Sequence, residues 1–176
     1  MKRNMSLWQL MGFAVTSLGG TLLHFLYDWT NQSLWAAPFS GVNESTWEHM
    51  KLLFVPTAVF TVVQLLFLGG VYPNFLAVRT VSLLAGLTLI PVLFYTYSGV
   101  LGRNVDWINI SIFFLAAAGM FLLDAYLLRK GRFSKPWQQV VGVMILWALA
   151  FAFVWCTFRP PRLGLWQDPL TGTFGT

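Results

Sequence analysis

Histidine and carboxylate side chains gather beside one connection of this chain, between its first two long apolar stretches. His24 and Asp28 lie one helical turn apart at the end of the first stretch, so a helix presents both on one face. Glu44, Glu48 and His49 come just before the second stretch. Imidazole and carboxylate groups are common ligands of zinc, manganese and iron. The pattern therefore predicts a polar, metal-binding site at one end of two neighbouring helices.

The residue types suggest definite roles at this site. We predict His24, Glu48 and His49 as metal ligands, with Glu44 and Asp28 as catalytic carboxylates that act as general base or further ligand. A bound zinc or manganese ion polarises a phosphate, ester or amide, or activates a water molecule. In a metal-free alternative, a carboxylate and a histidine form a general acid–base relay. The leading functional hypothesis is a metal-dependent hydrolase or transferase acting on lipid-linked or extracytoplasmic substrates.

A purely structural interpretation explains much of the same pattern. The run Ser45-Thr46-Trp47-Glu48 fits a capping box, in which the serine hydroxyl and the glutamate carboxylate bond to amides at a helix N-terminus. Glu44 is then a favourable anion beside that N-terminus. This interpretation describes a structural or assembly protein. It predicts that His24 and His49 point apart and that the carboxylates are satisfied separately.

The elements that position these residues are five long apolar stretches. Hydrophobic residues make up 57% of the 176-residue chain and charged residues 10%, whereas soluble domains carry roughly 25% charged residues. Each stretch approaches the roughly 20 residues that cross a bilayer as a helix, and none alternates as a barrel strand does. We predict a single-domain, all-α bundle of transmembrane helices. The stretches cover residues 7–27, 52–72, 75–100, 107–128 and 137–158.

The distribution of Lys and Arg predicts the orientation of the bundle. With five spans, the N-terminus shares a side with the loops after the second and fourth spans. That side holds Lys2, Arg3, Arg79, Arg129, Lys130, Arg132 and Lys135, and the opposite side holds only Lys51, Arg103, Arg159 and Arg162. We therefore predict a cytoplasmic N-terminus, with the cluster and residues 159–176 outside. Asp106 and Asn109 then start the fourth span on the outer side, as further candidates for the cluster.

The same distribution bears on the partners of the protein. The basic residues sit in short loops between apolar runs and form no continuous stripe, so we expect no nucleic acid partner. The basic loop at residues 129–135 is placed to meet anionic lipid headgroups at the cytoplasmic face. The principal partner that the sequence predicts is the lipid bilayer.

Arg79 and Asp124 form a second group of charges, inside the predicted spans. Both fall near the cytoplasmic ends of their stretches, so we predict that they pair, which lowers the cost of each charge in lipid. A clasp between two helices is the main interpretation, and a proton or ion relay is the alternative. A small transporter or transporter subunit would need an aqueous path from the outer cluster past Pro56, Gln64 and Pro91 towards this pair.

The tail at residues 159–176 is too polar and too rich in Gly and Pro to span a membrane. Its run Asp168-Pro169-Leu170-Thr171-Gly172 predicts a turn. Apolar residues on both sides of that turn predict that the tail folds back onto the outer surface. These residues are Leu163, Leu165, Trp166 and Phe174.

Three runs of the chain carry a resemblance. Residues 23–29 read Leu-His-Phe-Leu-Tyr-Asp-Trp, residues 43–49 form an Asn-Glu-x-x-Trp-Glu-His box, and residues 168–175 read Asp-Pro-Leu-Thr-Gly-Thr-Phe-Gly. With these runs the chain resembles a family of small, uncharacterised bacterial membrane proteins with several spans. The resemblance implies a bacterial protein with several spans, and it supplies no activity. We predict that the protein lies in the bacterial inner membrane.

Overall fold

The structure, a computed structural model, describes residues 4–176 and contains five long α-helices. Lys2 and Arg3, which contribute to the predicted charge bias, lie outside the described residues. Within residues 4–176 the chain forms no β-strand, and one isolated antiparallel bridge joins Gln167 to Phe174. The helices are α1 (Met5–Trp29), α2 (Thr46–Leu68), α3 (Phe75–Leu101), α4 (Asp106–Arg129) and α5 (Pro136–Phe158), followed by a short 3-10 helix (Gly164–Trp166).

All five helices are long and apolar enough to cross a membrane, which confirms the predicted all-α, multi-span architecture. Helix α2 begins at Thr46, before the apolar stretch itself, because Ser45 caps it. The Ser45 backbone is extended, and its hydroxyl accepts a hydrogen bond from the Glu48 N–H at 3.3 Å, as an N-cap does. The Ser45 N–H donates to Asn43 Oδ1 at 2.9 Å rather than to Glu48. Half of the predicted capping box therefore forms, and the Glu48 carboxylate is left for another partner.

Helix packing brings α1 beside α2 and α4, while α3 lies against α2, α4 and α5. The core between these helices is formed by fully buried side chains such as Leu53, Ala116 and Met120. Gly20 allows α1 to approach its two neighbours closely. A Cβ atom at this position would lie 2.8 Å from the Leu52 carbonyl oxygen and 2.5 Å from the Phe113 ring. A side chain at Gly20 would push α1 away from the bundle.

A buried polar cluster joins four helices near one end of the bundle. Arg79 and Asp124 form an ion pair at 3.1 Å, and neither side chain is exposed. Arg79 also donates to Gln64 Oε1 at 2.7 Å, and Gln9 donates to Asp124 at 2.7 Å. The Arg79 guanidinium lies 4.9 Å from the centre of the Phe121 ring, a cation–π contact. The predicted pairing of Arg79 with Asp124 is confirmed, and it links α1, α2, α3 and α4.

The tail folds back onto the opposite end of the bundle, which we call the site end, where α1, α3 and α5 finish and α2 and α4 begin. The predicted turn forms, because Asp168 Oδ1 accepts the Leu170 N–H at 2.7 Å. The Trp166 ring packs on Trp47 of α2 with centroids 4.9 Å apart. These contacts confirm the predicted folding back of the tail, which reaches the loop before α2.

Candidate functional site

A cavity of about 470 Å³ opens at the site end, between α1 and α4. Its polar part is lined by side chains from four parts of the chain. Its other walls are apolar and come mainly from α1 and α4. The polar lining residues are Thr21 and His24 of α1, Glu44 of the first loop, His49 of α2, and Asp106 and Asn109 of α4.

His24, Glu44 and His49 form a compact group, which we call the His–Glu triad. Glu44 stands between the two imidazoles, with Oε1 at 3.6 Å from His24 Nε2 and Oε2 at 3.6 Å from His49 Nε2. One donor atom from each residue lies within 4.8 Å of the others. The two imidazole rings are 5.7 Å apart, centre to centre. Within residues 4–176, no other group of three or more His, Cys, Asp or Glu side chains is arranged to hold a metal ion.

Backbone contacts orient His49 within the triad. His49 Nδ1 lies 3.0 Å from the carbonyl oxygen of Ser45, the same residue that caps α2. A carbonyl oxygen only accepts hydrogen bonds, so Nδ1 carries the proton and the lone pair of the neutral ring is on Nε2. Nε2 is the atom that faces Glu44. Metal-binding histidines are commonly oriented by this kind of hydrogen bond from the other ring nitrogen.

The tail and the first loop position Glu44. Its backbone N–H points to Asp168 Oδ2 at 3.4 Å. The neighbouring Asn43 side chain donates to the Gly175 carbonyl at 3.0 Å and accepts from Ser45 at 2.9 Å. Glu44 therefore lies on a loop that is held from both sides, although its own carboxylate stays partly exposed. The tail contributes to the geometry of the triad without supplying a ligand.

Glu48, which the sequence suggested as a ligand, lies outside the triad. Its carboxylate is buried and forms an ion pair with Lys51 at 2.5 Å, and it also accepts the Val42 N–H at 3.2 Å. Lys51 donates further to the Ala37 carbonyl at 2.8 Å and to Thr157 Oγ1 at 2.7 Å. Glu44, and not Glu48, stands between the two histidines, because the Glu48 carboxylate is paired with Lys51 one turn along the helix.

Lys51 was not predicted as part of the site, because the sequence placed it only among the basic residues of the outer side. It is fully buried, and its three partners come from the first loop, α2 and α5. A usable signal existed, since Glu48 and Lys51 are three residues apart and face each other on a helix. The Glu48–Lys51 pair connects the start of α2 to the end of α5 and, through Val42 and Ala37, to the first loop.

Of the remaining candidates, Asp106 and Asn109 line the cavity and Asp28 does not. Asp28, expected as a catalytic carboxylate, is exposed on the last turn of α1 and does not belong to the triad. Asp106 and Asn109 line the cavity as expected. Asn109 donates to Asn104 at 2.7 Å and contacts the Tyr97 hydroxyl, so it is fixed by α3 and the loop before α4. Asp106 is the second carboxylate that lines the cavity, and it does not belong to the triad.

Two histidines and one glutamate are a ligand set that catalytic zinc sites use, with a fourth position left for water or substrate. The triad is half-buried and adjoins a cavity, so a substrate has access to such a position. Among the described residues that line the cavity there is no Lys or Arg. The site is therefore acidic, which favours a cation.

Comparison with known proteins places the chain in a family without giving it an activity. The model of a family of unknown function (DUF6512) matches residues 1–176, and the chain belongs to this family. Neither the curated proteins nor the solved structures include a significant match. The expected membership of an uncharacterised family is confirmed. The bacterial origin and the inner-membrane location stay predictions.

Proposed function

We propose that this multi-span member of a family of unknown function binds a divalent transition metal, zinc or manganese, at His24, Glu44 and His49. We further propose that it uses the metal for hydrolysis or group transfer at the outer face of the membrane. The observation that carries the proposal is the convergence of three donor atoms within 4.8 Å from α1, the first loop and α2. The three residues lie on two consecutive helices and the loop between them, so α1 must pack beside α2 to bring them together.

The chemistry follows from the ligand set and the adjoining cavity. A bound metal supplies a Lewis acid and lowers the pKa of a coordinated water. Asp106 lines the same cavity and would serve as the general base of the reaction. Hydrolysis of an ester or amide adds the water oxygen to the carbonyl carbon. The bond to the alcohol or amine then breaks, and that leaving group takes up the proton.

Two observations favour this proposal over its alternatives. The structural interpretation requires His24 and His49 to point apart, whereas both face Glu44. The transporter interpretation requires a path past Pro56, Gln64 and Pro91, and none of these residues lines the described cavity. Its lining instead includes Gly20, where α1 approaches α2 and α4 closely.

The first test is elemental analysis of the full-length protein purified in detergent. We expect about one equivalent of zinc or manganese, retained during gel filtration and removed by a strong chelator. His49→Ala and His24→Ala should each lose the metal, because removing one of three ligands typically abolishes tight binding.

Asp28→Asn is the matched control. It removes an acidic side chain one turn from His24 on the same helix, but outside the triad, and should keep the metal. Wild-type protein that takes up neither zinc nor manganese, even after reloading of a monodisperse sample, would refute the proposal. Equal metal loss in Asp28→Asn would move the site away from the triad.

A further inference from the structure

The cavity beside the triad is amphiphilic along its length. Towards the site end it is lined by His24, Glu44, His49, Asp106 and Asn109, whereas Leu52, Ile110, Phe113 and Phe114 lie further along α2 and α4. The apolar lining consists of Phe25 of α1, Leu52 of α2, Ile110, Phe113 and Phe114 of α4, and Leu170 of the tail. A ligand that fills this cavity must present a polar group at one end and a hydrocarbon group at the other.

The apolar side of the cavity is open to the bilayer. Phe25 is 46% exposed, Ile110 59% and Phe114 38%, and all three lie on helices that are apolar enough to span a membrane. Exposed apolar side chains on such helices face lipid tails rather than water. The cavity is therefore reached sideways from the membrane, through the gap between α1 and α4.

The volume and charge of the cavity narrow the class of ligand. About 470 Å³ lies in the roughly 300–1,000 Å³ range of small-molecule sites, enough for a head group and the first part of one chain. Glu44 and Asp106 line the polar end, and no Lys or Arg lines it among the described residues. A head group with a net negative charge would meet these carboxylates, so an uncharged or zwitterionic head group fits better.

We propose that this cavity binds a membrane lipid with an uncharged or zwitterionic head group, entering between α1 and α4. One acyl chain lies against Ile110 and Phe114, and an oxygen of the head group reaches the His–Glu triad. The contact between the head group and a metal rests on the proposed function above. The placement of the acyl chain does not, because it depends on the apolar walls alone.

The test is photo-crosslinking of full-length protein in detergent, titrated with a phosphatidylcholine that carries a diazirine on one acyl chain. We expect saturable labelling that peptide mapping places on α1 and α4. Ile110→Trp fills the gap between the helices and should weaken apparent binding by about tenfold, the effect of excluding two buried methylene groups. Unlabelled phosphatidylcholine should compete better than phosphatidylglycerol.

Leu115→Trp is the matched control, because Leu115 is on the same helix, is also 59% exposed and does not line the cavity. It should label like the wild-type protein. Equal labelling of the Ile110→Trp and Leu115→Trp variants would overturn the lipid site. Equal competition by phosphatidylglycerol would overturn the assignment of the head group.

The same titration on chelator-treated protein and on His49→Ala separates this proposal from the metal proposal. Labelling that depends on Ile110 in protein that never takes up metal would retain the lipid site and refute the metal function. Stoichiometric metal with no labelling of α1 or α4 would retain the metal function and refute the lipid site.

Discussion

Replacing Lys51 by Met tests whether the buried Glu48–Lys51 pair holds the site end together. Lys51 is fully buried and its ammonium has three partners, namely Glu48 at 2.5 Å, Thr157 at 2.7 Å and the Ala37 carbonyl at 2.8 Å. These satisfy the three donors of an ammonium group. Methionine has a similar length and no charge, so the change removes the cation while keeping most of the packing.

The expected cost follows from what remains after the substitution. The Glu48 carboxylate is only 2% exposed, and without Lys51 it would be a buried charge whose remaining partners include the Val42 N–H. Breaking a buried ion pair by removing one partner costs about 3–5 kcal/mol. The carbonyl of Ala37 also loses its donor. We therefore expect Lys51→Met to lower the free energy of unfolding by about 3–5 kcal/mol.

The assay is equilibrium unfolding in mixed detergent micelles, followed by circular dichroism, in a double-mutant cycle with Glu48→Gln. The double variant should be more stable than the sum of the single effects predicts, because it leaves no buried charge unpaired. A loss of no more than about 1 kcal/mol for Lys51→Met, the value of an exposed ion pair, would refute the reasoning. So would strict additivity of the two substitutions.

Three further predictions concern other parts of the bundle. Arg79→Met leaves Asp124 buried without its cation and should cost about 3–5 kcal/mol in the same unfolding assay, and adding Asp124→Leu should restore part of it. Gly20→Val forces α1 away from the Leu52 carbonyl and should lower the free energy of unfolding by about 1–3 kcal/mol. Gly99→Val should lower it less, because the space around Gly99 is open. Asp168→Asn replaces the acceptor of the Glu44 N–H and should lower the free energy of unfolding by about 1 kcal/mol. It should also make hydrogen exchange faster at residues 43–45. Unchanged exchange there would show that the tail does not support the loop.

Much of the architecture follows from the sequence alone. The hydrocarbon thickness of a bilayer fixes the length of a spanning helix, so five long apolar stretches predict five helices. Ser45 as the N-cap of α2 can also be predicted, because an N-cap depends on residues only a few positions apart. The pairing of Arg79 with Asp124 is predictable for a similar reason. Two opposite charges at the same membrane depth have few other partners in lipid.

The identity of the triad was decided by the tertiary structure. Glu44 and Glu48 are both carboxylates beside the same helix start, and the sequence favoured Glu48 as the ligand and Glu44 as the catalytic carboxylate. Which of the two joins the histidines depends on Lys51, which is buried between the first loop and α5 and forms an ion pair with Glu48. That burial depends on Thr157, more than a hundred positions further along the chain.

The cavity could not be predicted from the sequence either. Local patterns report which residues share a helix face, because that depends on the helical repeat alone. They do not report that residues of α1 and α4 line one cavity, or that Leu170 of the tail lies beside it. Contacts between remote segments arise only when the helices pack, and the site is formed from such contacts.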